Sequence, residues 1–199
     1  DYNKQAKVFI LSDVNKANTA QVAGAMNALF TASNGGGLGL FTSIQRLRST
    51  HNILQDKLGL PLYAQHYEQV DTGTLIDLFR EDENSCLLGT DAMRDGVDVP
   101  GRSLRLITFD RVPWPRPTIL HKNRRKHFGG REYDERITRL KLQQAFGRLI
   151  RSAQDKGVFV MLDNATPSRL LTAFPEQIEV NKLGLNEACA EIKQFFSNS

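Results

Sequence analysis

Val158-Phe159-Val160-Met161-Leu162-Asp163 is the stretch on which the fold turns. Its apolar residues follow one another without alternation, the pattern of a strand covered on both faces. Just before it, Tyr133 to Ser152 has the spacing of a long helix. Before that, Ser103-Leu104-Arg105-Leu106-Ile107-Thr108-Phe109 is a second strand-length run. Farther toward the N-terminus, strands are predicted at Ser85–Thr90, Pro61–Gln65, Leu38–Phe41 and Lys7–Leu11. Helical spacings separate them: Val22, Ala25, Met26, Leu29 and Phe30; then Ile44, Leu47, Ile53, Leu54 and Leu58; then Leu75, Ile76, Leu78 and Phe79. Strands alternating with helices predict an α/β fold, a parallel sheet with helices on both faces. One domain over residues 1–199 is expected, with Asn186 to Phe196 as a closing helix and residues 197–199 as its frayed end. Ligands of such sheets bind beyond the carboxyl ends of the strands. The informative positions are therefore Thr42-Ser43, Thr90 to Gly101, Asp110 to Pro117 and Asp163-Asn164.

The composition is that of a folded globular chain, with 40% hydrophobic and 24% charged residues. No apolar run approaches the roughly 18 to 20 residues of a membrane-spanning helix, and no signal peptide is visible, so no membrane partner is expected. Cys86 and Cys189 are the only cysteines. They exclude a disulfide framework and a multi-cysteine zinc site, and favour a reducing compartment, the cytoplasm. Charge is unevenly spread. Residues 102–151 hold fourteen Lys/Arg against four Asp/Glu, a net of +10, leaving −6 for the rest of a chain whose total is +4. Such asymmetry fits a polyanionic partner, or else a solvated basic face.

Four segments carry candidate chemistry. In Gln144-Ala145-Phe146-Gly147-Arg148-Leu149-Ile150-Arg151, helical geometry puts Gln144, Gly147, Arg148 and Arg151 within an arc of about 100°. Two guanidiniums and an amide converge there, and the glycine leaves room for a phosphate, which guanidinium binds through paired charge-assisted hydrogen bonds. The ordinary alternative is a solvated face with salt bridges. Gly89 to Gly101, with three acids, three glycines and a proline, reads as a structured loop after a strand, or a plain connection. It lacks the later glutamate of a calcium loop. Thr42 and Ser43 follow a strand and open a helix, suiting a nucleic-acid phosphate or simple helix capping. From Val112-Pro113-Trp114-Pro115-Arg116-Pro117 to the basic cluster His121 to His127, Trp114 suits base stacking and the cluster a phosphate backbone, or else Trp114 is a packing anchor and the cluster a solvated helix end. The loop G-x-x-x-x-G-K-[ST] that cradles nucleotide phosphates is absent, as are H-E-x-x-H, C-x-x-C and G-x-S-x-G.

In order and spacing, these segments resemble the second motor domain of superfamily 2 DNA helicases of the DinG/XPD-like group. Gln144 to Arg151 resembles motif VI, Q-x-x-G-R-x-x-R; Asp95-Gly96-Val97-Asp98-Val99-Pro100-Gly101 resembles motif V, with Asp95 where the group usually has Glu; Leu40-Phe41-Thr42-Ser43 resembles motif IV. Phe109 to Pro117 and Val160 to Asp163 resemble the stretches after motifs V and VI. The resemblance spans roughly residues 38 to 172 and implies a RecA-like fold. It implies that Arg148 and Arg151 reach the terminal phosphates of ATP, with Arg151 the better finger, and that Gln144 positions nucleotide or water. Both arginines would then leave one helical turn side by side, on the rim that carries Thr42 and Gly96. Gly96, Asp98 and Gly147 would adjoin the nucleotide. Thr42, Ser43, Thr90 and Arg116 would hold single-stranded or forked DNA. ATP and Mg would be bound mainly by a first, N-terminal motor domain, and any iron–sulfur cluster would sit there too. The chain is expected to be a fragment of a longer protein and inactive alone. Two other readings stay open: a non-catalytic nucleic-acid-binding module that kept the fold, and half of an RNA helicase.

Overall fold

The structure, a computed structural model, describes residues 2–67, 69–99 and 101–197, without the side chains of Arg94 and Asp95. The strands are β1 (Ala6–Leu11), β2 (Gly37–Phe41), β3 (Leu62–Ala64), β4 (Cys86–Thr90), β5 (Leu106–Phe109), β6 (Gly157–Met161) and β7 (Val180–Leu183). The helices are α1 (Tyr2–Gln5), α2 (Thr19–Ala32), α3 (Ile44–Leu54), α4 (Thr72–Glu81), α5 (Ile119–His127), α6 (Arg131–Leu149) and α7 (Leu185–Ser197). Short 3-10 turns cover Asp91–Asp95, Gly101–Ser103 and Ser168–Ala173. Among the described residues all strand pairs are parallel, in the order β3-β4-β2-β5-β6-β1-β7.

That order dictates where the helices go. From β1 to β3 the chain steps one way across the sheet, and from β3 to β7 it steps back. Because crossovers between parallel strands are right-handed, the two directions load opposite faces. Accordingly α2 and α3 pack on one face with α7, through Met26, Leu29, Phe30, Leu47 and Ile192. On the other lie α4, α6 and the turn at Ser168–Ala173, through Phe79, Leu142, Phe146 and Leu170. The central strands β2, β4, β5 and β6 are buried at every position, which explains apolar runs broken only by Thr90 and Thr108.

Two elements have no apolar pattern in the sequence to mark them. The edge strand β7 pairs only with β1 and is half exposed, so it carries no apolar run to announce it. The basic cluster forms helix α5, capped by the Thr118 hydroxyl, which accepts from the His121 N–H at 3.1 Å. None of its residues is buried, so no periodic apolar stripe marks it.

At the amino edge of the sheet, α2 leaves through Asn34, Gly35 and Gly36, all at positive φ. A Cβ on Gly35 would lie 2.1 Å from the Asn84 carbonyl oxygen, so only glycine fits. The buried Arg105 guanidinium closes this edge by donating to the carbonyls of Ser33 (2.9 Å), Glu83 (2.8 Å), Asn34 and Arg102.

Near the opposite end of α6, Glu135 accepts from Arg131 (2.9 Å) and from Arg169. Burial pushes its carboxyl up, and the hydrogen bonds from Arg169 and Arg131 more than reverse this, leaving it below the ordinary 4.5. A lowered carboxyl contributes stability above its unfolded value, lost as pH falls through the folded one. The stability deficit of Glu135→Gln, read from urea midpoints, is therefore expected to shrink as pH drops below 4.5.

Candidate functional site

Two groups of residues stand out, at opposite ends of the sheet. The first crowns the carboxyl ends of β1, β2, β5 and β6. Asp110 follows β5 and is fully buried. Its carboxylate accepts from the Thr42 N–H at 3.2 Å and from Arg46 Nε at 2.5 Å, with Arg111 Nε 3.6 Å away. Burial pushes the Asp110 carboxyl up, against the pull of Arg46 and Arg111. Asp163, just past β6, is also buried; both its oxygens accept from Lys16 Nζ at 2.7 Å. Arg46 and Arg111 each donate to the Lys16 carbonyl, at 2.7 and 3.3 Å. Arg116 is exposed and donates to the Thr42 carbonyl at 3.1 Å. Two buried acids thus hold three cations at a rim that Arg116 completes, leaving a positive surplus toward solvent.

Of the residues expected to hold nucleic acid, Thr42, Ser43 and Arg116 come together here. Ser43 caps α3, its hydroxyl accepting from the Arg46 N–H at 3.2 Å. Thr90 is buried, and its hydroxyl donates to Gln65 Oε1 at 3.1 Å, so it faces inward. Trp114 is partly exposed beside the rim. Lys16, Arg46 and Arg111 were not anticipated. The signal that points to them is an acid closing an apolar strand, as in Phe109-Asp110 and Leu162-Asp163, because a buried carboxylate needs cations nearby.

The second group lies along α6. This helix runs antiparallel to the strands and ends at the amino edge, where Leu149 packs so tightly on Gly157 that a Cβ there would meet it at 2.4 Å. Gln144 and Gly147 are exposed and Arg148 is half-buried, all on the helix. A Cβ on Gly147 would meet nothing within 4 Å, so the chain's own packing does not require glycine there. Arg151 departs from expectation. The helix stops at Leu149, and Ile150 is extended (φ −123°, ψ 109°). The Asp155 carboxylate draws the chain off the helix by accepting from the N–H groups of Arg151 (2.8 Å) and Ser152 (2.7 Å). Arg151 therefore does not share a helical face with Gln144, Gly147 and Arg148.

Instead Arg151 reaches the loop expected to adjoin the nucleotide. One guanidinium nitrogen pairs with the Asp98 carboxylate and another donates to the Val97 carbonyl at 3.4 Å. From the other side, Arg80 donates to the Asp98 carbonyl at 3.0 Å. Higher on α6, Lys141 pairs with Asp91 at 2.8 Å. The segment from Asp91 to Val99 is thus fastened near both ends, to Lys141 on α6 and to Arg151 just beyond it, as it descends from the carboxyl rim. Gly96 has ordinary backbone angles and loose surroundings. Pro100 and the Asp95 side chain lie outside the described residues. Arg148 and Arg151 accordingly sit at the end of the sheet away from Thr42 and Ser43, and the single rim expected from the sequence is replaced by two separate sites. No group of His, Cys, Asp or Glu able to hold a metal occurs among the described residues. Nor is any described helix long and apolar enough to cross a membrane.

The family model for the helicase C-terminal domain matches residues 26–180. The ATP-dependent helicase DinG of Mycobacterium tuberculosis is 37% identical over 152 residues, covering 73% of this chain and 22% of the relative. The ATP-dependent DNA helicase YoaA of Escherichia coli is 31% identical over 175 residues, covering 82% and 27%. The chain thus spans about a quarter of the length of these relatives. A solved structure of apo XPD superposes with a TM-score of 0.66 at 17% identity, covering 90% of this chain and 40% of that one, a likeness of fold.

Proposed function

Because the chain belongs to the helicase C-terminal domain family, as found in DinG-like ATP-dependent helicases, we propose that it is the second motor domain of an ATP-dependent DNA helicase. In this reading the site along α6 faces ATP bound by a first motor domain, and the carboxyl rim holds single-stranded DNA. The observation that carries it is the attachment of Arg151, four residues beyond the exposed Gly147, to Val97 and Asp98. A guanidinium already held by a carboxylate and a carbonyl is placed to exchange the carboxylate for a phosphate, a ligand of the same charge and fork geometry. Arg148 adds a second cation, and Gln144 an amide to orient the nucleotide or its attacking water. The rest of the triphosphate site, with Mg, belongs to the first domain, since no loop of the phosphate-cradling type occurs here.

At the rim, Thr42 and Ser43 offer backbone N–H and hydroxyl groups to phosphates, and Lys16, Arg46, Arg111 and Arg116 offer charge. Contacts of this kind are independent of base sequence, as a translocating motor requires. Thr90 acts at one remove, through Gln65. The segment from Asp91 to Val99 joins the two sites, so a change at Arg151 on phosphate binding is felt at the rim. DNA rather than RNA is proposed from the DNA helicase named among the relatives, and the cytoplasm is where such a motor would meet it.

The test is steady-state ATP hydrolysis. The full-length protein is expected to turn over ATP faster with single-stranded DNA, and the 199-residue chain alone to show none. Steady turnover by the isolated chain would overturn the division of labour. A non-catalytic binder needs the rim but has no use for Arg151 on Asp98.

Gly147 supplies a second prediction. A glycine inside a helix costs roughly 0.5–1 kcal/mol relative to alanine, and no internal contact here repays it. Gly147→Ala is expected to stabilise the isolated chain by up to about 1 kcal/mol in urea melts. In the full-length protein the same methyl should raise KM for ATP.

A further inference from the structure

Helix α5 and the first turn of α6 play no part in either site. Helix α6 has nineteen residues, about 28 Å at 1.5 Å per residue. The strands beneath it have three to six, at most about 20 Å. Its first turn and all of α5 therefore project past the carboxyl rim. They are joined by Phe128, Gly129 and Gly130, both glycines at positive φ. One side of α5 is anchored: His121 and Arg125 contact the Asp134 carboxylate at 2.8 and 2.7 Å, and Tyr133 lies against both His121 and Phe128. The remaining sides are bare. Residues 116–131 hold six Lys/Arg and no Asp/Glu. Among the described residues no ion pair engages Lys122, Arg124 or Lys126. Ile119, Leu120 and Phe128 are 82%, 60% and 58% exposed.

We propose that this hairpin holds the duplex arm of a single-strand/duplex junction, with Lys122, Arg124 and Lys126 on its phosphates and Phe128 against its last base pair. The inference rests on the reading that the neighbouring rim carries the single strand. Charge selects a polyanion. Geometry selects a duplex: Lys122 and Lys126 share one face of α5, whereas Arg124 stands about 200° around the helix. A single strand meets one face, but a helix in the roughly 12 Å major groove has phosphates on both flanks. An apolar side chain at the tip suits contact with stacked bases, where such groups wedge against a step. The Arg116 bond to the Thr42 carbonyl ties the root of α5 to the single-strand rim, so strand and duplex contacts would be continuous.

The experiment uses the full-length protein with Lys122→Glu, Arg124→Glu and Lys126→Glu combined, and separately Phe128→Ala, all at exposed positions. Binding to a tailed DNA duplex and to the tail alone is measured over a range of salt, with single-strand-stimulated ATPase alongside. The triple variant should bind the tailed duplex at least tenfold more weakly, with a salt slope lower by about 2 to 3, while tail binding and ATPase stay within twofold. Phe128→Ala should slow strand separation several-fold at unchanged ATPase. Equal loss on the tail alone would make α5 part of the single-strand track and overturn the proposal. Unchanged duplex binding would overturn it too, and lost ATPase with normal DNA binding would assign the surface to the first motor domain. A parent protein without single-strand-stimulated ATPase would sink the motor reading instead, while the two binding curves still decide the hairpin.

Discussion

Arg151→Ala in the full-length protein is expected to cut single-strand-stimulated ATP hydrolysis by about 10³-fold or more, with single-strand affinity nearly unchanged. The magnitude is that of an arginine supplied across a domain boundary to the charge that develops in phosphoryl transfer, about 10³ to 10⁵ in rate. The separation of effects follows from placement, since Arg151 lies at the end of α6 near the amino edge and the strand-holding cations at the carboxyl ends. Its present partners are Asp98 and the Val97 carbonyl, and Asp98 is itself exposed. Exchange of that carboxylate for phosphate therefore leaves Asp98 in water rather than stranded in the interior. Arg151→Lys should recover little, because a point charge cannot make the paired bonds of the fork. Asp98→Asn should keep most of the turnover and lower KM for ATP, since it removes the competitor. An Arg151→Ala enzyme within tenfold of the parent, measured at saturating ATP and DNA, would remove the finger from the mechanism.

The parts legible in the sequence were those that burial on both sides leaves no choice about. Gly37 to Phe41, Cys86 to Gly89 and Gly157 to Met161 carry no polar side chain because they are central strands, and those runs alone imply the parallel sheet. The order of Thr42-Ser43, Gly96 to Val99 and Gln144 to Arg151 carried the family. What escaped depends on contacts between distant residues. A helical wheel extends past Leu149 without hindrance, whereas the carboxylate of Asp155 ends the helix by capturing two N–H groups. Lys16 and Asp163 lie 147 positions apart, so their pairing needed the sheet order, not a local pattern. Whether the basic cluster of α5 is a binding surface or a solvated helix end could not be read from the sequence, because it buries nothing.

Asp110 carries the largest expected effect on stability. Asp110→Ala removes the carboxylate that holds Arg46 and the Thr42 N–H, and loss of one partner from a buried pair costs about 3–5 kcal/mol. The low end is expected, since the Arg46 side chain keeps 20% exposure and can turn toward water. Asp110→Asn should lose less, because an amide oxygen still accepts from one of the two donors. Acid separates this residue from Glu135. Burial raises the Asp110 carboxyl above its ordinary 3.8, so the folded state takes up the proton more readily than the unfolded chain. The proton-linked part of its contribution is then present in full below 3.8 and is lost as pH rises through the folded value, while the contacts to Arg46 and the Thr42 N–H are a separate part. Lowering the pH toward 3.8 should widen the gap between the parent and Asp110→Asn in urea midpoints, while the Glu135→Gln gap narrows over the same acid range. Parallel trends for the two variants would mean that Asp110 is not held as a buried acid among cations, and the rim would then lack the brace that sets Thr42 and Arg46.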